Sequence, residues 1–387
     1  MKKPIGLMCT ICLVIGMAGL AQAKDKIVFG QSTSLSGFLA KPTHYYEVPL
    51  TKLWLQEVNA KGGIYVPDYG KRLPVELIRY DDKSDVATMI KLTERLITVD
   101  KVDILLGPLG TTHHLAVAPL ATRYKYPIVG YTNATEKLYD MQDKYPYMFV
   151  TINSPRQGAE GFKDLAKDLG IKKAAIIYAS HEFGIEYASC NKSRFEAAGI
   201  DLVMYKSYPL PATDLSPLLK EAKAANVDAL IAHSLAQDTF MLPEQAKGIK
   251  FNPKLFYVAI GGAWPAFKGK YGNEMVEGIT GPGGWNQNMP IPGAKEFYDK
   301  FVAMHGRPPC NWSTACGYSV LQILEHAIEN VGLKDGEKLR NFIANEPHET
   351  AFGTVKFEGG QFNTNPPALI GQWQKGMFEC LMPKKSS

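Results

Sequence analysis

The densest set of polar groups with chemical potential lies in Leu105–His114, LLGPLGTTHH, where a short apolar strand runs into Gly-Pro-Leu-Gly, two hydroxyls and two histidines. Such a loop suits a phosphate, a metal ion or a carboxylate. A phosphate loop needs Gly-x-x-x-x-Gly-Lys-Ser/Thr, and this loop has no lysine. A metal needs two imidazoles turned to one centre, but His113 and His114 are adjacent and diverge by about 100° on a helix. Their ordinary reading is one solvated and one packed side chain in a first helical turn. A carboxylate remains. The start of a helix presents unpaired backbone N–H groups and a partial positive charge, and the hydroxyls of Thr111 and Thr112 add neutral donors. Thr111 also reads as a helix N-cap, and the two roles are compatible.

The parts of a hydrolytic or metal-dependent enzyme are missing. Gly-x-Ser-x-Gly is absent, and the eight histidines are scattered without metal-ligand spacing. His181-Glu182 is the best acid–base pair, in a loop that also fits ordinary variation. Neither a metal nor a cofactor is expected. An exported two-lobed enzyme and a sensor domain serving a membrane receptor are the rival classes.

The elements that position these groups alternate regularly. Lys26 to Gly30, Val75 to Tyr80, Ile104 to Leu106 and Pro127 to Gly130 read as strands. Helices are expected from Glu47 to Ala60, through Met89, Leu92, Leu96 and Ile97, and from His113 to Tyr124. The alternation restarts with strands at Ala174 to Tyr178, Asp201 to Lys206, Asp228 to Ala232 and Leu255 to Ile260, and helices around 183–198, 215–225 and 238–248. Two such series imply an α/β protein with two doubly wound parallel-sheet lobes. The end breaks the rhythm, with helices over 312–331 and 335–346, then strands at Thr354 to Glu358 and Ala368 to Trp373 around a Gly359-Gly360 turn.

The chain has 387 residues, enough for two domains. Lys2 and Lys3, an apolar run from Ile5 to Leu20 and Ala21-Gln22-Ala23 have the form of a cleavable secretory leader over 1–23. Its removal takes two lysines and none of the 38 acids, so the net charge drops from +5 to +3. That is too mild to indicate a nucleic-acid partner. The mature chain keeps Cys190, Cys310, Cys316 and Cys380, which read as structural, either paired or buried.

Several segments resemble a known family. SLSGFLA at 34–40, LQEVNAKGGI at the end of the first helix, RYDDKSD at 79–85, LLGPLGTTHHLAVAPLA and YASHEFGIEYA at 178–188 occur in order over the mature chain. Together they resemble the branched-chain amino-acid type of periplasmic solute-binding protein, the receptor of an ABC importer. The resemblance implies lobes made of 24–150 with 284–352 and of 151–283 with 353–387, joined by three crossovers. It implies a periplasmic monomer that binds a small-molecule ligand in the cleft, closes by hinge motion and docks on a membrane permease. Ligands of open parallel sheets bind beyond the carboxyl ends of the strands. The cleft loops are thus 31–46, 107–113, 131–138, 179–184, 233–238 and 261–265.

By the same resemblance the 107–113 loop and the next, YTNATEK, grip a ligand carboxylate, with Asn133, Ala134 and Thr135 at the matching positions. Amino-acid binders of the family place an acid in the loop that here reads AIGGAWPAF, where Gly261 or Gly262 stands instead. Asp238 and Glu182 are the substitutes, and neither sits at the matching position. The cleft loops are rich in aromatics: Tyr45 and Tyr46, Phe183 at a family tyrosine position, Trp264, and Trp285 at a crossover. They favour a flat apolar ligand body, hence an aromatic or apolar carboxylate over a branched-chain amino acid. Tyr80, Asp81 and Asp82 read as turn formers beneath the first lobe.

Overall fold

The structure, a computed structural model, describes residues 24–366 and 369–382; the expected leader lies outside the described residues. In the first lobe Ile27–Thr33 pairs in parallel with Val75–Asp81 on one side and Ile104–Leu105 on the other. Six of its seven residues are buried, as befits a parallel strand covered on both faces. Ile128–Gly130 and Met148–Val150 form a second parallel pair. The second lobe carries a seven-stranded sheet. Asp201–Tyr208, Lys173–Ala179, Ala229–His233, Leu255–Val258 and Thr280–Pro282 run parallel in that spatial order. Ile370–Gln374 and Met377–Met382 then extend it antiparallel. The central strands Ala229–His233 and Leu255–Val258 are wholly buried.

The strand series expected from periodicity is present, with six additions among the described residues: Ile64–Val66, Lys71–Leu73, Met148–Val150, Thr280–Pro282, His348–Thr350 and Met377–Met382. Met148–Val150 and Thr280–Pro282 have only three residues each, too few to show a period. Met377–Met382 is joined to Ile370–Gln374 by Lys375 and Gly376, with φ of 51° and 81°. Two successive positive φ values make the tight turn that matches strand twist. The Gly359-Gly360 turn exists, but the strands flanking it do not pair with each other. Gly353–Val355 pairs with His348–Thr350, while Ile370–Gln374 joins the large sheet.

After Thr280–Pro282 the chain leaves the second sheet. Helix Asn311–Val331 packs on helix Val48–Ala60 of the first lobe, and the chain returns to the second sheet at Ile370. Among the described residues Cys190, Cys310 and Cys316 form no disulfide, and Cys310 and Cys316 are buried. No helix among the described residues is long and apolar enough to cross a membrane.

Candidate functional site

Strand ends of both lobes face a shared cavity of about 600 Å³. The first lobe contributes Phe38, Leu39, Tyr46, Thr111, Tyr131 and Ala134; the second contributes Phe183, Tyr187, Asp238 and Tyr257; Trp312 comes from the crossover helix.

The loop after the first strand is fixed from below by two aspartates. Asp81 Oδ1 accepts from the amides of Leu35, Ser36 and Lys83 at 2.9–3.0 Å. Burial opposes its charge, but these bonds and the Ser36 hydroxyl hold its carboxyl below the ordinary value. Asp82 Oδ1 accepts from Ser34 Oγ at 2.7 Å and the Ser84 amide at 2.8 Å. The structural reading of Asp81 and Asp82 is therefore accurate, and it has a consequence: they aim Phe38 and Leu39 at the cavity. The helix expected from Glu47 begins earlier, with a π-helical turn over Thr43–Glu47. That turn buries Glu47, which accepts from Gln31 Nε2 at 3.0 Å, Thr33 Oγ1 at 2.6 Å and the Tyr131 hydroxyl at 3.4 Å. Burial pushes its carboxyl up, and the Arg79 charge and these donors pull against that. Tyr46 and Tyr131, neighbours on the cavity wall at 6.1 Å, are set by this network.

The LLGPLGTTHH loop forms a helix start. Gly110, at φ 93° and ψ 152°, is the N-cap, so Thr111 is not; it is the first residue of helix Thr111–Tyr124. The amides of Thr111, Thr112 and His113 thus lack intrahelical acceptors. Thr111 Oγ1 reaches only a long 3.5 Å contact with the Ala134 carbonyl. The expectation of one solvated and one packed histidine fails, because both are buried. The helix starts two residues before His113, which tucks its first turn against the sheet. His114 Nδ1 lies 3.0 Å from the Gly110 carbonyl and its Nε2 meets no partner. Burial pushes His114 down to about 4. His113 is lowered by burial against the pull of Asp82.

The wall in the second lobe is aromatic. Phe183 and Tyr187 lie 4.8 Å apart, and Phe162 and Tyr257 meet edge to face at 4.6 Å. His233 sits behind them, 5.5 Å from Tyr187, and burial pushes it down to about 3. His181 lines the cavity but serves as a helix cap, accepting from the Phe183 amide at 3.4 Å. Glu182 is bound in an ion pair with Lys137. Asp238 lines the cavity, is 1% exposed, and accepts through Oδ2 from the Tyr208 hydroxyl and the Leu235 amide, both at 3.3 Å. At Gly262 a Cβ would lie 2.6 Å from the Val258 carbonyl, and Gly261 has φ 100°. Neither position accommodates an acidic side chain without rebuilding the loop.

Of the residues singled out from sequence, Thr111, Ala134, Phe183 and Asp238 line the cavity. Tyr45, Thr112, Asn133, Thr135, Trp264 and Trp285 lie outside its lining. Asn133 is buried and donates to the Phe149 carbonyl at 3.2 Å. Trp285 is fully buried and donates to the Ala351 carbonyl at 2.9 Å, so it belongs to packing at the crossover. Thr135 and the Tyr45–Trp264 pair instead join the lobes. Thr135 Oγ1 donates to Glu186 Oε1 at 2.6 Å, and the Glu136 amide donates to Glu186 Oε2 at 2.8 Å. On another side Tyr45 stacks on Trp264 at 5.0 Å and accepts from the Ala266 amide at 3.1 Å. The Arg307 guanidinium lies 4.4 Å from the Tyr45 ring centre. Tyr257, Phe162 and Trp312 lie outside every motif quoted from the sequence, and Tyr131 and Tyr187 lie in YTNATEK and YASHEFGIEYA without being singled out there. They come from strand ends and helix faces with no motif in common.

The family model described as periplasmic binding protein matches residues 26–377. The chain is 24% identical to the Leu/Ile/Val-binding protein homolog 7 of Brucella suis, over 95% of this chain and 94% of that one. A solute binding protein of an ABC transporter from Rhodopseudomonas palustris BisB5, solved with 3,4-dihydroxy benzoic acid, superposes with a TM-score of 0.78 at 22% identity, covering 92% of this chain and 95% of that one. The branched-chain amino acid transporter substrate binding protein LivJ from Streptococcus pneumoniae, solved with isoleucine, gives a TM-score of 0.78 at 20% identity, over 92% and 98% of the two chains. On the family match and its two parallel-sheet lobes around one cleft, this chain belongs to the periplasmic binding protein family, in the branched-chain amino-acid type that its motifs resemble.

Proposed function

We propose that the mature protein is the periplasmic receptor of an ABC importer and captures a small carboxylate-bearing ligand with an aromatic or apolar body. The observation that carries the ligand class is the composition of the cavity. Its walls are aromatic on both lobes, its first-lobe corner offers the helix-start amides and the Thr111 hydroxyl, and the loop with Gly261 and Gly262 has no room for an acid. A carboxylate at the helix start gains charge-assisted bonds, and rings on the walls bury its body. A branched-chain amino acid brings an ammonium as well, and a buried ammonium needs an acceptor. Asp238 favours that second reading, since it is the cavity's own buried carboxylate.

In this account residues 1–23 are removed on export, the protein acts as a monomer without cofactor or metal, its partners are the ligand and a membrane permease, and it turns nothing over. The lobes close on the ligand, with the Glu186 and Trp264 contacts formed in the closed state.

A thermal-shift screen of the purified mature chain against amino acids, aromatic acids, short acids and amides tests the ligand class. A ligand at a hundredfold excess over its dissociation constant stabilises the folded state by about 2.7 kcal/mol. Aromatic acids are expected to raise the melting temperature most. A rise with leucine, isoleucine or valine and none with the acids would establish the second reading instead.

A further inference from the structure

Asp238 is a buried carboxylate facing an apolar cavity with half of its hydrogen-bonding capacity unused. It is 1% exposed. Its Oδ2 takes both of its bonds, from the Tyr208 hydroxyl and the Leu235 amide at 3.3 Å each. Among the described residues nothing donates to its other oxygen, and no lysine, arginine or histidine forms an ion pair with it. The cavity lining near it in sequence is Leu235, Ala236 and Gln237, and neither Gln237 nor Lys41, the nitrogen-bearing side chains of this part of the lining, bonds to it. Burial raises its carboxyl, and no neighbouring cation offsets that cost. A buried acceptor without a donor is expensive, and the expense is removed when a partner arrives. The carboxylate corner at Thr111 belongs to the first lobe and Asp238 to the second, so a ligand between the lobes meets both.

Resting on the aromatic-acid reading above, we infer that the ligand carries a second polar group, a hydroxyl donor on the ring away from its carboxylate, and that Asp238 accepts from it and selects for it. The ligand class is then a ring-hydroxylated aromatic acid. An unsubstituted ring leaves Asp238 desolvated and unpaired in the closed cleft, which is a penalty that a site built for a donor imposes on analogues lacking it. Tyr208 and Leu235 fix the Asp238 carboxylate before the ligand arrives, so little ordering is needed on binding.

The test is calorimetric titration of the full mature chain with benzoate, 3- and 4-hydroxybenzoate, 3- and 4-methoxybenzoate and leucine. At least one hydroxybenzoate is expected to bind about tenfold or more tightly than benzoate and its own methoxy analogue, a ratio that corresponds to about 1.4 kcal/mol. In Asp238→Leu, whose fold is checked by circular dichroism, that preference is expected to disappear and benzoate to bind more tightly than it does to the unaltered protein, because no carboxylate is left unpaired. Asp238→Asn, close in shape, is the second variant and is expected to reduce the preference. Equal binding of hydroxy, methoxy and unsubstituted acids by the unaltered protein overturns the donor role and leaves the aromatic-acid reading standing. Binding of leucine alone, lost in Asp238→Asn, overturns both, because Asp238 is then an ammonium acceptor.

Discussion

Replacing Glu186 with alanine removes one of the two contacts described between the lobes. Its carboxylate takes a 2.6 Å bond from Thr135 and a 2.8 Å bond from the Glu136 amide, at the start of helix Glu136–Asp140. Hydrogen bonds to a charged group are each worth about 1.5–3 kcal/mol net. Glu186 is half-buried and keeps some contact with solvent, so the low end for a single bond, about 1.5 kcal/mol, is the appropriate figure. On the closure proposed above both bonds form only as the lobes close, and the loss falls on that step. A ligand that binds the closed form loses apparent affinity by the same factor, which is about tenfold. Calorimetry with the tightest acid from the screen measures it. Small-angle scattering under ligand-free conditions checks that the open form is unaltered. The melting temperature without ligand should stay within a few degrees of the unaltered protein. An unchanged dissociation constant in a folded Glu186→Ala protein would refute the reasoning and assign this contact no part in closure.

Three further outcomes are expected. Thr111→Val should weaken a carboxylate ligand about tenfold or more, through loss of a bond to a charged group; unchanged affinity by calorimetry would place the carboxylate elsewhere. Trp264→Ala removes the ring stacked on Tyr45 at 5.0 Å and should weaken binding several-fold without removing any cavity-lining atom, since such ring pairs contribute about 0.5–1.5 kcal/mol; a scattering profile of the ligand-bound variant identical to that of the unaltered protein, at equal affinity, would contradict a closure role. Stability should fall in acid, because burial lowers His114 to about 4 and His233 to about 3: the unfolded chain binds these protons first, so stability is full above about pH 6.5 and drops toward pH 4 by up to about 1.4 kcal/mol per pH unit for each imidazole. Denaturant unfolding at stepped pH measures this slope, which His114→Asn should reduce; a flat profile would mean that the imidazoles are not buried neutral groups.

The skeleton was legible because its signals are local. Buried strands such as Ala229–His233 announce themselves as apolar runs, and the loops at their ends are the cleft loops. Thr111, Ala134, Phe183 and Asp238 reach the cavity because each sits just beyond a strand end. The misses share a cause, which is that direction and partner are tertiary properties. Tyr45 and Tyr46 are adjacent and both meet Trp264, yet the π-helical turn brings only Tyr46 to the cavity and stacks Tyr45 flat on the indole. Thr135 is the hydroxyl the motif suggests, but it spends its proton on Glu186, 51 residues along the chain. His113 and His114 looked half-solvated from spacing alone; the helix origin at Gly110 buries both. Phe162 lies in no quoted segment and Tyr187 stands near the end of YASHEFGIEYA, one helical turn past Phe183, and helix packing brings them to one wall.

The preference between two ligand classes decides what the cavity is built to hold. The deciding measurement is a side-by-side calorimetric titration of the purified mature protein with benzoate-type acids and with leucine, isoleucine and valine. The cavity, with aromatic walls, a helix start at Thr111 and glycines at 261 and 262, predicts tighter binding of at least one aromatic acid than of any of the three amino acids. Tight binding of leucine with no heat from any of the acids would contradict it.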